Sequence, residues 1–168
     1  MSEALDLYDE ISNPLDAVED LFRSYEWSFD RFSNDKLSVQ VTGQYDSYDV
    51  TMTWDELSNC LQSIACYRFP VEAENYSLAA EALLKINARL WLGHFVISQD
   101  NYLPALRHTC LFRGFFHSSG AEQIEDLIDI AIQEAEKFYP VFDWLAHKNV
   151  NDEKSPLDLV LMQSAGES

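Results

Sequence analysis

A chain of 168 residues in which 47% of side chains are hydrophobic and 13% aromatic holds enough apolar material for one core but too little length for two, which excludes the acidic disordered class. Its net charge of −18, from 29 acidic and 11 basic side chains, excludes phosphate-driven binding of nucleic acid, which needs clustered Lys and Arg. Such acidity keeps a surface soluble and discourages self-association.

The charge is uneven. Residues 1–67 hold 14 acidic and 3 basic side chains, residues 68–117 hold 4 and 5, and residues 118–168 hold 11 and 3, so the middle segment alone escapes a strong negative balance. No apolar run approaches the roughly 20 residues that span a bilayer, and the opening MSEALDLYDEI is acidic where a signal peptide is basic. A cytoplasmic location is expected. Three cysteines, Cys60, Cys66 and Cys110, form no C-x-x-C pair and are odd in number, so they read as buried, reduced thiols.

In chain order, SNPLDAVEDLFRSYE opens a helix: Asn13 caps it, Pro14 takes the first helical position and Asp16 lies in the first turn. Leu15, Val18, Leu21, Phe22 and Tyr25 share one face and must lie on something apolar. From residue 27 to 69 the hydrophobic period becomes two, and EWSFDRFS, KLSVQVTGQ, SYDVTMTWD and NCLQSIACYRF predict four antiparallel strands. In the third, Tyr48, Val50, Met52 and Trp54 face a dry side, and Asp49, Thr51, Thr53 and Asp55 a wet one.

Pro70 ends the strands, and a helix is predicted over 72–92, with a stripe of Tyr76, Ala79, Ala80, Leu83, Ile86, Asn87 and Leu90 that makes it central to the packing. Within KINARLWLGHFVI, Gly93 is placed to end that helix with positive φ, and Lys85 and Arg89 complement its dipole. The next segment, HFVISQDNYLPALRHTCLFR, predicts a hairpin turning at Asp100 and Asn101, with His94 opposite Arg107 and Phe95 opposite Leu106. The last helix starts at a capping box of Ser119 and Glu122 and buries Ile124, Leu127, Ile128, Ala131, Ala135, Phe138, Phe142 and Leu145. Pro140 should kink or break it near Glu136.

The order helix, four strands, helix, two strands, helix predicts an α+β fold, a twisted antiparallel sheet with helices on one face. Two smaller sheets around the central helix are the alternative. The expected organisation is a flexible acidic segment over 1–12, a single α+β domain over 13–148, and a linker with an apolar tail, LDLVLMQ, over 149–168.

Little chemistry is legible. The phosphate-loop, dinucleotide, zinc-protease and nucleophile-elbow patterns are absent, and five glycines leave no phosphate cradle. His108 with Cys110, joined by Cys66 or His117, is a weak metal or Cys–His candidate, since a catalytic zinc site needs three ligands and a thiolate nucleophile needs an exposed electropositive setting. Glu125 and Asp129, one helical turn apart, read as a solvated face rather than a catalytic pair. Trp27, Trp54, Trp91 and Trp144 read mainly as core, although a Trp on an incompletely covered sheet is a frequent binding anchor.

NPLDAVEDLFRSYEWSFDRF, LSVQVTGQY, INARLWLGHF, LRHTCLFRG and IEDLIDIAIQEAEKFYPVFDW together resemble the YbjN-type family of bacterial sensory transduction regulators, particularly its alphaproteobacterial branch, from about residue 13 to 159. The resemblance implies a fold similar to type III secretion chaperones, which are small, acidic, usually dimeric proteins that bind client segments without catalysis. It carries no catalytic residues to transfer.

The expected function is therefore a non-enzymatic regulatory or chaperone-like module, a homodimer through the second helix or an edge strand, that holds a protein segment without cofactor, metal, nucleic acid or membrane. Its binding surface is expected on the wet face of the hairpin, at His94 and Arg107, extending toward Trp54 and Arg113. The alternative for Arg107 is simple pairing with nearby carboxylates. The alternative function is a small enzyme or metal-dependent sensor built on His94, Arg107, His108 and Cys110.

Overall fold

Asn13 sets the start of the first helix. In the computed structural model, which describes residues 13–112, 119–147 and Asp158, its side-chain oxygen accepts the Leu15 N–H at 2.9 Å, with Pro14 in the first helical turn. The helix α1 (Pro14–Ser24) buries Leu15, Val18 and Phe22, while Leu21 is half-buried and Tyr25 is exposed.

The strands β1 (Phe29–Ser33), β2 (Lys36–Thr42), β3 (Ser47–Asp55) and β4 (Cys60–Cys66) follow as an antiparallel meander, and β5 (His94–Ile97) and β6 (Pro104–Leu111) form the predicted hairpin. The hairpin inserts through β6, giving one six-stranded sheet in the order β1-β2-β3-β4-β6-β5. The alternative of two sheets is not what forms. Strand alternation sends Leu37, Val39, Tyr48, Val50, Met52, Trp54, Leu61, Phe95 and Leu106 to one face, where all are buried.

That face is covered by α1, by α2 (Tyr76–Asn87) and by α3 (Ser119–His147). The order matches the expected α+β pattern, with one 3-10 turn, Ala73–Asn75, added before α2. The helix expected over 72–92 is thus shorter. Its buried stripe is Ala79, Ala82 and Ile86, extended by Asn75, and Ala80 is exposed, because α2 lies across the sheet end at β5 rather than over its centre. Asn87 joins helix to strand: its side-chain oxygen accepts the Phe95 N–H at 2.7 Å and its amide donates to the Phe95 carbonyl at 3.0 Å.

The central helix is α3. Every member of its predicted stripe is buried. It also runs through Pro140, so that of the expected kink or break the break does not occur, because Val141, Phe142, Leu145 and Ala146 beyond the proline are all buried. A helix proline costs about 3 kcal/mol, whereas each large apolar side chain gains about 1.5–3 kcal/mol on burial, so packing wins.

Tyr67, just past β4, is the densest point of the core. Its ring meets those of Tyr48, Phe69, Phe95, Tyr139 and Phe142, and its hydroxyl donates to the Ala135 carbonyl of α3 at 2.6 Å. Burial drives its pKa well up, so the phenol stays a donor. Tyr48 similarly donates to Glu136 at 2.7 Å. The 1–12 segment, the Ser119 cap side chain and the apolar tail other than Asp158 lie outside the described residues.

Gly93 has φ +70° as expected, but it caps no helix, since α2 ends at Asn87. It is instead the entry to β5, where an added Cβ would stand 2.9 Å from the Arg107 carbonyl oxygen and 3.3 Å from the His108 Cβ. Gly93→Val should therefore lower stability by about 1 kcal/mol or more, through strained φ and crowding against β6. A urea unfolding midpoint equal to that of the wild type would contradict this.

Candidate functional site

The helices leave the other sheet face open, and register aligns its side chains in rows. One row crosses all six strands: Asp30, Ser38, Thr51, Ile64, Arg107 and His94. A second holds Gln40, Asp49, Cys66, Ala105 and Val96, and a third Lys36, Thr53, Gln62 and Thr109.

Charge divides this face in two. The β1–β3 side carries Asp30, Asp49 and Asp55 with Lys36, whereas the β4-β6-β5 side presents Cys60, Gln62, Ile64, Cys66, Thr109, Leu111 and Val96 around Arg107 and His94, with no carboxylate among the described residues of these strands. In a chain of net charge −18, a strand-built patch free of acids gives an anion a local approach that the rest of the surface denies.

Arg107 is held by a neutral group. With the Gln62 amide oriented to satisfy its neighbours, its oxygen accepts from Arg107 Nη2 at 2.9 Å and Nε at 3.1 Å, and from Thr109 Oγ1 at 3.1 Å. The side chain is thereby oriented but not neutralised. Arg23, Arg31 and Lys85 each pair with carboxylates, yet Arg107 has no ion pair among the described residues, so the expected alternative of carboxylate pairing is not what this geometry shows. Gln62 escaped the sequence reading, because a glutamine in a half-polar strand carries no signal until register sets it beside Arg107.

His94 lies opposite Arg107, as the hairpin register predicted. Trp54 does not join them: it is 6% exposed and belongs to the helix-covered face. The period-two pattern had already placed it with Tyr48, Val50 and Met52, and a side chain on that face cannot reach the other one. Arg113 and His117 lie outside the described residues. Trp27 and Trp144 pack partly buried against the core, whereas Trp91 is 98% exposed on the loop before β5.

The same alternation separates the enzyme or metal candidates. His94 and Arg107 occupy the open face, whereas His108 and Cys110 point with Leu106 to the helix side, so the four side chains do not converge. Cys66 is on the open face, away from Cys110. No group of three or more potential ligands occurs among the described residues. Burial lowers the His108 pKa and raises that of Cys66, and it pushes the Cys110 thiol, with a smaller contribution from Cys60, up to about 11. Glu125 is occupied by a hydrogen bond from the Tyr25 hydroxyl.

A thiol whose pKa rises from 9.0 to about 11 holds roughly 100-fold less thiolate at pH 8. Iodoacetamide at pH 8 should accordingly modify Cys110 far more slowly in the folded protein than in urea. Equal rates in the two states would reveal an activated thiol.

These features define an α+β protein whose antiparallel sheet is covered by helices on one side, with no described helix on the other. The sequence matches the model of the YbjN family, described as "Putative bacterial sensory transduction regulator", over residues 14–144, and the chain belongs to that family. Among solved structures, YbjN from E. coli is similar with a TM-score of 0.51 at 15% identity, covering 71% of this chain and 84% of that one, which shows the shared fold. The ExsC-ExsE complex is similar more loosely, with a TM-score of 0.41 at 14% identity over 62% of this chain and 75% of that one. Comparison with curated protein sequences returns no match. Among the described residues no helix is long and apolar enough to cross a membrane.

Proposed function

We propose that this chain is a non-enzymatic regulatory or chaperone-like binding module that holds an acidic or mixed-charge protein segment across the β4-β6-β5 half of its open sheet face. The carrying observation is the acid-free patch around Arg107, a guanidinium oriented by Gln62 and paired with no carboxylate among the described residues. His94 extends the polar rim, and Ile64, Val96 and Leu111 supply apolar contact. Arg is enriched among binding hot spots, and charge complementarity selects the partner. Arg113, next along the chain from Phe112, belongs to the proposed surface as an extension of it. A cytoplasmic location is part of the proposal, supported by three unpaired cysteines.

Arg107→Glu is the decisive variant. Against a panel of acidic peptides and sequence-matched basic controls, followed by fluorescence anisotropy, it should weaken binding at least about tenfold, or roughly 1.4 kcal/mol, with the melting temperature unchanged. Equal binding by variant and wild type would remove this face from consideration.

The proposal includes a homodimer formed through α2 or an edge strand; of the two edges, that of β5 is capped at Phe95 by Asn87, whereas β1 pairs with no described strand on its outer side and is open to strand addition. Light scattering across micromolar concentrations should give twice the 19.3 kDa of one chain. A constant single-chain mass would end this part of the reading.

A further inference from the structure

Behind the sheet, a second surface is left uncovered. The end of α2 and the loop after it expose Leu84 (76%), Trp91 (98%) and Leu92 (46%), far more apolar surface than one solvent-facing turn ordinarily carries. Trp91 and Leu92 wall a cavity of about 490 Å³ closed on its other side by Ile130, Glu134, Lys137 and Phe138 of α3. That volume lies within the range of pockets that hold an organic ligand or a few side chains.

We propose that the cavity is the docking site of this chain's own C-terminal segment, Leu157, Val160 and Leu161 entering against Trp91 and Phe138 as one face of a short helix. The segment SPLDLVLM has the required pattern: Ser155 is a cap residue, Pro156 suits the first helical position, and the three aliphatic residues fall at 3–4 residue spacing. Asp158 is helical. It also lies near α2, because its charge, after the larger effects of Glu81, contributes to raising the Lys85 pKa. Lys85 is one helical turn before Arg89, which lines the same cavity.

The chain can reach. From His147 back to Glu134, α3 spans about 20 Å at 1.5 Å per residue, and the eight residues from His147 to Ser155 extend to about 26 Å. Tethering supplies an effective concentration on the order of millimolar. A second copy has no such advantage. This docking does not depend on the open-face reading.

Trp91 reports on its own cover. In the full-length chain, its contribution to emission and acrylamide quenching is obtained by difference from Trp91→Phe, and compared with Leu157→Glu/Leu161→Glu in the full chain. The docked tail predicts a shielded, blue-shifted Trp91 at every protein concentration, turning red-shifted and quenchable in the tail variant, with faster amide exchange over 84–92 and an unchanged melting temperature. Trp91 freely quenched in the wild type would overturn the proposal. So would shielding that varies with concentration and survives the tail substitutions, since a second copy would then be the cover.

Discussion

The architecture depends on Tyr67. Its ring is buried among five other aromatic rings and its hydroxyl is spent on the Ala135 carbonyl, which fixes the middle of α3 over the centre of the sheet. A phenol buried without an acceptor would cost about 1–3 kcal/mol, so the ring can sit there only with α3 in place. Its backbone N–H also donates to Pro104 at 3.0 Å, holding the sheet and the β5–β6 hairpin in one register. At the other end of α3, the Asn75 amide donates to the Leu145 carbonyl at 2.9 Å. Placing α3 in this way commits one sheet face to the core and leaves the opposite face to solvent.

What the open face offers follows from pairing order. The hairpin β5–β6 inserts beside β4 and so brings the near-neutral middle segment of the chain into the sheet as a contiguous half, while the acidic early strands form the other half. The charge asymmetry along the sequence becomes a charge asymmetry in space. Gln62 then acts as a neutral holder for Arg107: hydrogen bonds restrict the guanidinium's orientation without the Coulomb neutralisation that a carboxylate would bring. Arg31, by contrast, reaches Glu19 at 3.0 Å and Asp16 at 3.4 Å and so ties β1 to α1.

Likeness to E. coli YbjN at 15% identity is physically reasonable for such a fold. The core rests on alternation along strands and 3–4 residue spacing along helices, patterns that many apolar side chains satisfy at similar volume. The open face is under no such packing constraint, and shared fold therefore says little about shared surface chemistry.

The sequence by itself determined the elements, the hairpin register and the buried stripe of α3, because these follow from local periodicity and turn chemistry at Asn13, Pro14 and the Asp100–Asn101 corner. It also determined that Gly93 needs positive φ, although not the reason: the strained residue serves the approach of β5 to Arg107, a partner 14 positions away. Only the tertiary structure decided that α2 lies at the sheet's end with Ala82 inward and Ala80 outward, and that α3 continues through Pro140. Each of these turns on which surface packs against which, a sum of burial terms between residues distant in sequence. Periodicity says that a face is apolar; strand order and helix placement decide what covers it, and that is why Gln62 beside Arg107 and the exposed Trp91 emerged only in three dimensions.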